Sequence, residues 1–219
     1  MPQTYIDSLL LLEKTNQVYY RIYALGEFGS LDKLVYPSSS WQSFEFDYKK
    51  ISGKTCIGLD FGYVNDPTAL LLSKVSLEEN RIYIYDEWGG TGLLNDAIAA
   101  QLKEMGLSKS AIVADSAEQK SIEEIKRLGI RKIIPAKKGP DSIIQGIQRV
   151  KQYEIVVHPK CIMTIEELQN YAWQKDKSTN EYINKPVDKY NHYMDALRYS
   201  MQCLDDRPRL QTMDKNLLF

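Results

Sequence analysis

Three aspartates carry the first hint of chemistry. Asp60 closes an apolar run that contains Ile57 and Leu59, and Asp115 closes the run Ala111-Ile112-Val113-Ala114. Asp195 sits among Tyr193, Ala196, Leu197 and Tyr199. His192, Asp195 and Tyr199 fall at i, i+3 and i+7, one face of a helix. An ionised carboxylate beside a core is costly unless it is paired, hydrogen-bonded or on a metal. Three of them, from two strand ends and one helix, can hold two hard cations. Mg²⁺ takes octahedral oxygen ligands and keeps several waters. Two such ions, about 4 Å apart, activate a water and steady the leaving oxygen in phosphodiester hydrolysis. Taken singly, each aspartate reads more readily as a strand-end turn former or a cap than as a metal ligand. The conjunction of three, in this element order, favours the metal.

The elements that must position these residues follow from periodicity. Residues 54–61, 68–75 and 81–88 read as three strands on short connections, an antiparallel meander. In the third, Ile82, Ile84 and Asp86 alternate with Tyr83 and Tyr85. A helix is predicted over 93–105, ended by Gly106, then a short strand over 111–115. A helix over 117–128 ends at Gly129, and a strand follows over 132–135. Asp141 is placed as the N-cap of a helix reaching 151. Then come a strand over 154–157, a helix over 163–171, a hairpin over 173–183 around Ser178, Thr179 and Asn180, and a final helix over 190–203. This order predicts an α/β fold. A mixed sheet, antiparallel meander first and parallel strands after, is covered by helices on both faces, with a hairpin before the last helix. Residues 1–50 lack strand–helix alternation beyond a short amphipathic helix over 5–13. They read as the end of another domain or as an arm on the main body. Residues 51–205 form the main domain. Residues 206–219 form a tail, either a docking arm or a free end.

Composition narrows the classes. Lys and Arg total 28 against 29 Asp and Glu, a net charge of −1, so the 219-residue chain is neither a basic coat nor an acidic disordered tail. A local patch can still meet nucleic acid. Six basic residues (Arg131, Lys132, Lys137, Lys138, Arg149, Lys151) face one acid, Asp141, between 131 and 151. Lys137-Lys138-Gly139, between a strand and a helix, could hold a DNA phosphate, as could Lys175 and Lys177 on the hairpin. A solvated charged face is the alternative for each. Cys56, Cys161 and Cys203 are far apart and form no CxxC. No disulfide pairing and a reducing compartment are therefore expected. With two His, a zinc finger is excluded. No membrane span or secretory leader is visible, which points to the cytosol.

Two motifs are decoys. Ser52-Gly53-Lys54-Thr55 imitates the end of a P-loop, but Tyr48 stands where its first Gly belongs, and a strand rather than a helix follows. Asp60-Phe61-Gly62 imitates a kinase DFG without the catalytic loop upstream.

Four stretches together resemble the nuclease domain of the large terminase subunit of tailed bacteriophages. They are Gly58-Leu59-Asp60-Phe61-Gly62 with Asp66-Pro67-Thr68-Ala69; Val113-Ala114-Asp115-Ser116; Ala136-Lys137-Lys138-Gly139 with Ser142-Ile143; and Asn191-His192-Tyr193-Met194-Asp195-Ala196-Leu197-Arg198-Tyr199. The similarity covers about residues 52–204, and residues 5–36 resemble the end of the ATPase part of such subunits. The resemblance implies a ribonuclease H-like fold and a Mg²⁺- or Mn²⁺-dependent DNA endonuclease, with two ions per site once DNA is bound. Asp60, Asp115 and Asp195 match the acidic triad, Asp60 bridging both ions. His192 matches a histidine of part of the family, to contact a metal, orient water or shuttle a proton; a structural helix-start histidine is the alternative. Asp66 stands where a further metal acid often occurs, or is an Asp-Pro turn residue. Asp188 is a helix-start acid with the same two readings. The resemblance further implies double-stranded DNA, the terminase ATPase domain, the small terminase subunit and the portal protein as partners, in the cytoplasm of a bacterial host. Two rivals remain: a ribonuclease H-like ATP phosphotransferase, and a non-catalytic module docking DNA or a portal.

Overall fold

The computed structural model describes residues 33–205. The expected helix over 5–13 and the tail over 206–219 lie outside them. A seven-stranded mixed sheet forms the middle layer. Its strands are β1 (Trp41–Ser43), β2 (Lys54–Asp60), β3 (Thr68–Ser76), β4 (Arg81–Gly90), β5 (Ile112–Ala114), β6 (Ile133–Pro135) and β7 (Glu154–Val157). They lie in the order β1-β7-β4-β3-β2-β5-β6. β2, β3 and β4 are the expected antiparallel meander, and every other pairing is parallel. The helices are α1 (Asn95–Glu104), α2 (Gln119–Arg127), α3 (Ser142–Val150), α4 (Ile162–Asn170) and α5 (His192–Ser200), with β8 (Trp173–Lys175) and β9 (Tyr182–Pro186) as the separate hairpin. The last helix is shorter than expected, since Met201–Asp205 winds on as a 3₁₀ turn.

β2 and β3 are apolar on both faces because both faces are covered. Ile57, Leu59, Leu70 and Leu72 pack with Ile98 and Leu102 of α1 and Ile122 and Ile125 of α2. Cys56, Ala69, Leu71, Ile82 and Ile84 pack with Ile147 of α3, Leu168 of α4 and Met194, Ala196 and Leu197 of α5. The alternation expected in β4 breaks at a bulge. Leu72 pairs with Asp86 but Ser73 pairs with Ile84, so Tyr85 is an extra residue. A bulge moves every later side chain to the opposite face. Asp86 therefore leaves the face of Ile82 and Ile84, and Glu87, opposite Leu71, turns toward α4.

Two further expectations are corrected, and one of two readings of the first 50 residues is favoured. Asp141 occupies the N-cap position of α3, but in a left-handed conformation (φ 58°), and its carboxylate caps nothing. The Gly139 carbonyl takes the Ser142 amide instead. The stretch before residue 50 contributes a strand: β1 pairs with β7, and Val35 and Tyr36 are fully buried. Residues from 33 on thus pack as an arm on the main body. Finally, the expectation that no cysteine pairs is overturned. Cys56 of β2 and Cys203 of the closing 3₁₀ turn are joined as a disulfide, Cα–Cα 5.8 Å, while Cys161 is free and buried. A separation of 147 residues hid the pair, which meets because α5 returns along β2. No helix among the described residues is long and apolar enough to cross a membrane.

Candidate metal centre

β2 and β5 run parallel, Leu59 beside Ala114, so both release an aspartate at the same edge of the sheet. The Asp115 amide donates to the Leu59 carbonyl at 3.0 Å, holding the two strand ends together. α5 then crosses β2 at Gly58. A Cβ on Gly58 would meet the Ala196 carbonyl oxygen at 1.8 Å, so only glycine allows backbone on backbone here. That crossing brings the start of α5 to Asp60. His192 Nδ1 lies 3.2 Å from Asp60 Oδ2, and Nε2 lies 3.6 Å from Asp66 Oδ1. The imidazole stands between the two carboxylates.

Asp60 is 7% exposed. Burial pushes its carboxyl up to about 6, and the charges of Asp195 and Asp115 push the same way, against the hydrogen bond and charge of His192. The Asp60 hydrogen bond in turn raises His192, against its own burial. Asp195 accepts from Arg198 Nη2 at 2.7 Å, one helical turn on. Arg198 is buried; burial is the largest single influence and works against its charge, but the charge and hydrogen bond of Asp195, with Tyr199 and Tyr171, together outweigh it. α3 leaves room for it at Gly146, whose Cβ would stand 2.2 Å from Arg198 Cγ. Asp115 accepts from the Ala117 amide at 2.9 Å and from Lys138 Nζ. It is therefore a turn cap as well as a member of the cluster. Tyr199 lies among all of these: burial raises its hydroxyl first, then Asp195, with Asp60 and Asp115 adding.

The donor set suits a hard divalent cation. It is carboxylate oxygen throughout, and the burial and the repulsion from Asp195 and Asp115 that lift Asp60 are both what a cation relieves. Two of the three acids carry a protein cation, Lys138 on Asp115 and Arg198 on Asp195. Among the described residues, no three His, Cys, Asp or Glu side chains close on one point as a finished cage.

The expected phosphate-binding lysines divide. Lys138 reaches the cluster, its ammonium also 5.4 Å from the Tyr199 ring centre. Lys137 is fixed through its backbone, its amide and carbonyl both bonded to the Gln202 side chain. Lys175 lies on the hairpin over Tyr182, 5.7 Å from the ring centre. Two acids escaped the sequence reading. Glu167 is 4% exposed and accepts from the Tyr193 and Met194 amides at the start of α5, at 2.8 and 3.1 Å. Glu87 accepts from the Met163 and Thr164 amides at the start of α4. The signal for Glu167 was available: with Thr164 and Leu168 it falls on the apolar face of α4, where a carboxylate needs a reason.

Comparison with known proteins identifies the family to which this fold belongs. Residues 60–203 match the family described as the terminase RNAseH like domain. The large terminase subunit of Bacillus phage SPP1 is 36% identical over 148 residues, 66% of this chain and 35% of that protein. The PBSX phage terminase large subunit of Bacillus subtilis is 27% identical over 99% of this chain and 51% of its own length. The chain thus spans about half or less of the curated relatives it matches. The SPP1 large terminase nuclease domain, solved with bound Mn, superposes at TM-score 0.70 and 32% identity, covering 76% of this chain and 98% of that one. The P22 large terminase nuclease domain, at 16% identity and TM-score 0.57, covers 78% of this chain and 92% of its own and shares the fold alone. With the meander, the parallel strands and the acids at one sheet edge, these matches establish that the chain belongs to the ribonuclease H-like domain family of the terminase large subunit.

Proposed function

We propose that this domain is a divalent-metal-dependent endonuclease that cuts concatemeric double-stranded DNA during phage genome packaging, in the cytoplasm of a bacterial host. The observation that carries this reading is the His192–Asp60 contact, at a carboxylate whose ionisation Asp115 and Asp195 jointly oppose. Bound Mg²⁺ or Mn²⁺, two ions with DNA present, would lower the pKa of a water and neutralise charge on the phosphate. Asp60, Asp115 and Asp195 would hold the ions, with Asp66 beside them. His192 holds or passes a proton at Nε2, its Nδ1 side fixed by Asp60. Lys138 and Arg198 balance the acids until DNA and metal arrive, and Lys138 then turns to a phosphate. Lys137 and Lys175 extend the same backbone contact, which reads charge rather than sequence. Partners in this reading are an ATPase domain, a small terminase subunit and a portal protein.

The test is cleavage of supercoiled plasmid in Mg²⁺, Mn²⁺ or EDTA, with Asp60→Asn and Asp195→Asn alongside. Metal-dependent nicking and linearisation, lost in both variants while their circular dichroism stays native, is the expected result. A wild-type level of cleavage by Asp60→Asn would overturn the assignment. Silence of the wild type in every metal, with DNA binding intact, would favour the docking-module reading instead.

A further inference from the structure

We propose that Glu167 is a positioning residue for this site: from α4 it fixes the first turn of α5, and so the reach of His192 to Asp60. The inference rests on the nuclease reading only for its kinetic consequence. The geometric claim stands apart from it.

The first turn of a helix leaves backbone N–H groups without intrahelical partners. They are ordinarily met by the side chain of the helix's own N-cap residue. α5 lacks that arrangement. Asn191 holds the N-cap position and gives no side-chain hydrogen bond, and its buried Oδ1 has no hydrogen-bond partner among the described residues. The amides of Tyr193 and Met194 instead donate to one oxygen, Oε2 of Glu167. The carboxylate also matches the positive end of the helix dipole.

A cap supplied from a neighbouring helix does more than stabilise. A local cap would travel with α5, whereas Glu167 ties the rotation and height of its first turn to α4. The residue just before Tyr193 is His192, and Asp195 is one turn on. α4 is itself held from outside. Cys161, at its own cap position, gives no side-chain hydrogen bond, and Glu87 of β4 takes the amides of Met163 and Thr164 at 2.8 and 2.9 Å and the Thr164 hydroxyl at 2.6 Å. Glu87 faces α4 because of the bulge at Tyr85. Two carboxylates in series therefore set the His192 helix against the strand layer that bears Asp60.

The chain has two histidines, so ¹⁵N resonances of the imidazole nitrogens report His192 with little ambiguity. Two variants separate the roles. Glu167→Gln keeps an oxygen able to accept both amides. Glu167→Met keeps the volume and removes the acceptor. At a fixed pH, Glu167→Met is expected to move the His192 ring nitrogens away from their wild-type positions, and Glu167→Gln to leave them near. In plasmid nicking with Mn²⁺, Glu167→Met should lower kcat about 10- to 100-fold with KM for DNA within about twofold, and Glu167→Gln should restore kcat to within about threefold. A merely structural glutamate would instead lower Tm in Glu167→Met and leave both the histidine signals and kcat in place, and that result overturns the proposal. Should Glu167→Met fail to fold, amide exchange in the wild type decides: slow exchange at Tyr193 and Met194 supports the cap, and exchange as fast as at an uncapped helix start overturns it. A wild type that cuts nothing would sink the nuclease reading, while the histidine and exchange results would still decide the placement.

Discussion

A β-carbon on Gly58 would stand 1.8 Å from the carbonyl oxygen of Ala196 and 2.7 Å from its carbonyl carbon. Gly58 lies two residues before Asp60, and Ala196 lies one residue after Asp195. The contact that seats α5 on β2 thus also sets the spacing of two acids. Both atoms opposing the new methyl are backbone, so no side-chain rotation relieves the clash. Gly58→Ala should destabilise the fold by about 3 kcal/mol or more, the upper end of overpacking costs. It should also lift α5 and suppress cleavage in whatever protein remains folded. Urea unfolding followed by circular dichroism measures the first effect. An unchanged midpoint would mean that α5 does not rest on β2 here.

The buried acids give the site a pH signature. Asp60 rises from 3.8 to about 6 and Glu167 from 4.5 to about 7, both chiefly by burial. His192 rises above 6.5, chiefly through its hydrogen bond to Asp60. An acid with a raised folded pKa holds its proton more tightly when folded, so its ionisation lowers stability as pH climbs. A histidine raised by a partner contributes fully below its unfolded pKa and loses that contribution as pH passes its folded one. The three act in the same sense. In EDTA, unfolding free energy should therefore fall between pH 5 and pH 8, and Asp60→Asn should flatten the lower part of that slope. Denaturant titrations at unit pH steps check this, and a profile that rises toward pH 8 would contradict the burial of these groups.

Much of this fold is legible in the sequence. The meander, the parallel strands, the hairpin and the helices follow from apolar periodicity and from Gly106 and Gly129 as stops. Asp60 and Asp115 could be placed because each ends a buried run. What stayed hidden depends on long-range return of the chain. The Cys56–Cys203 pair and the Lys138–Asp115 contact join residues brought together only by packing. The β1 strand was too short to show a period, and it exists because β7 offers an open edge. The bulge at Tyr85 reversed the facing of Asp86 and Glu87, which no strict alternation could foresee. Glu167 was visible as a carboxylate on an apolar helix face, but its partners are backbone amides of another helix, and amides leave no trace in a sequence.

The cysteines permit a direct chemical check. Under denaturing, non-reducing conditions iodoacetamide should modify Cys161 alone, and after reduction all three cysteines. Reduction should also lower the urea midpoint, since a bridge across a long loop typically contributes about 2–4 kcal/mol. Peptide mapping by mass spectrometry reads the first result. Full alkylation without reductant, from protein kept in air, would show that the two thiols only lie side by side.

Lys138 offers the sharpest separation between a surface ion pair and a working contact. Its ammonium bonds Asp115 and lies over Tyr199, at the mouth of the acidic cluster. An ion pair at a partly exposed position is worth little, about 0–1 kcal/mol, so Lys138→Ala should leave Tm nearly unchanged. If Lys138 turns to a phosphate when DNA arrives, the variant should bind a short duplex more weakly at every sequence, and its log–log salt slope should drop by about 1. The same variant leaves Asp115 without its cation. Mn²⁺ alone, followed through the free-ion electron paramagnetic signal, should then bind tighter, because the metal no longer displaces an ammonium group. The two effects have opposite signs and one cause, which general loss of fold cannot imitate. Anisotropy titrations at several salt concentrations, in EDTA, give the slope. A slope and a Mn²⁺ affinity both equal to wild type would reduce Lys138 to an incidental neighbour of Asp115.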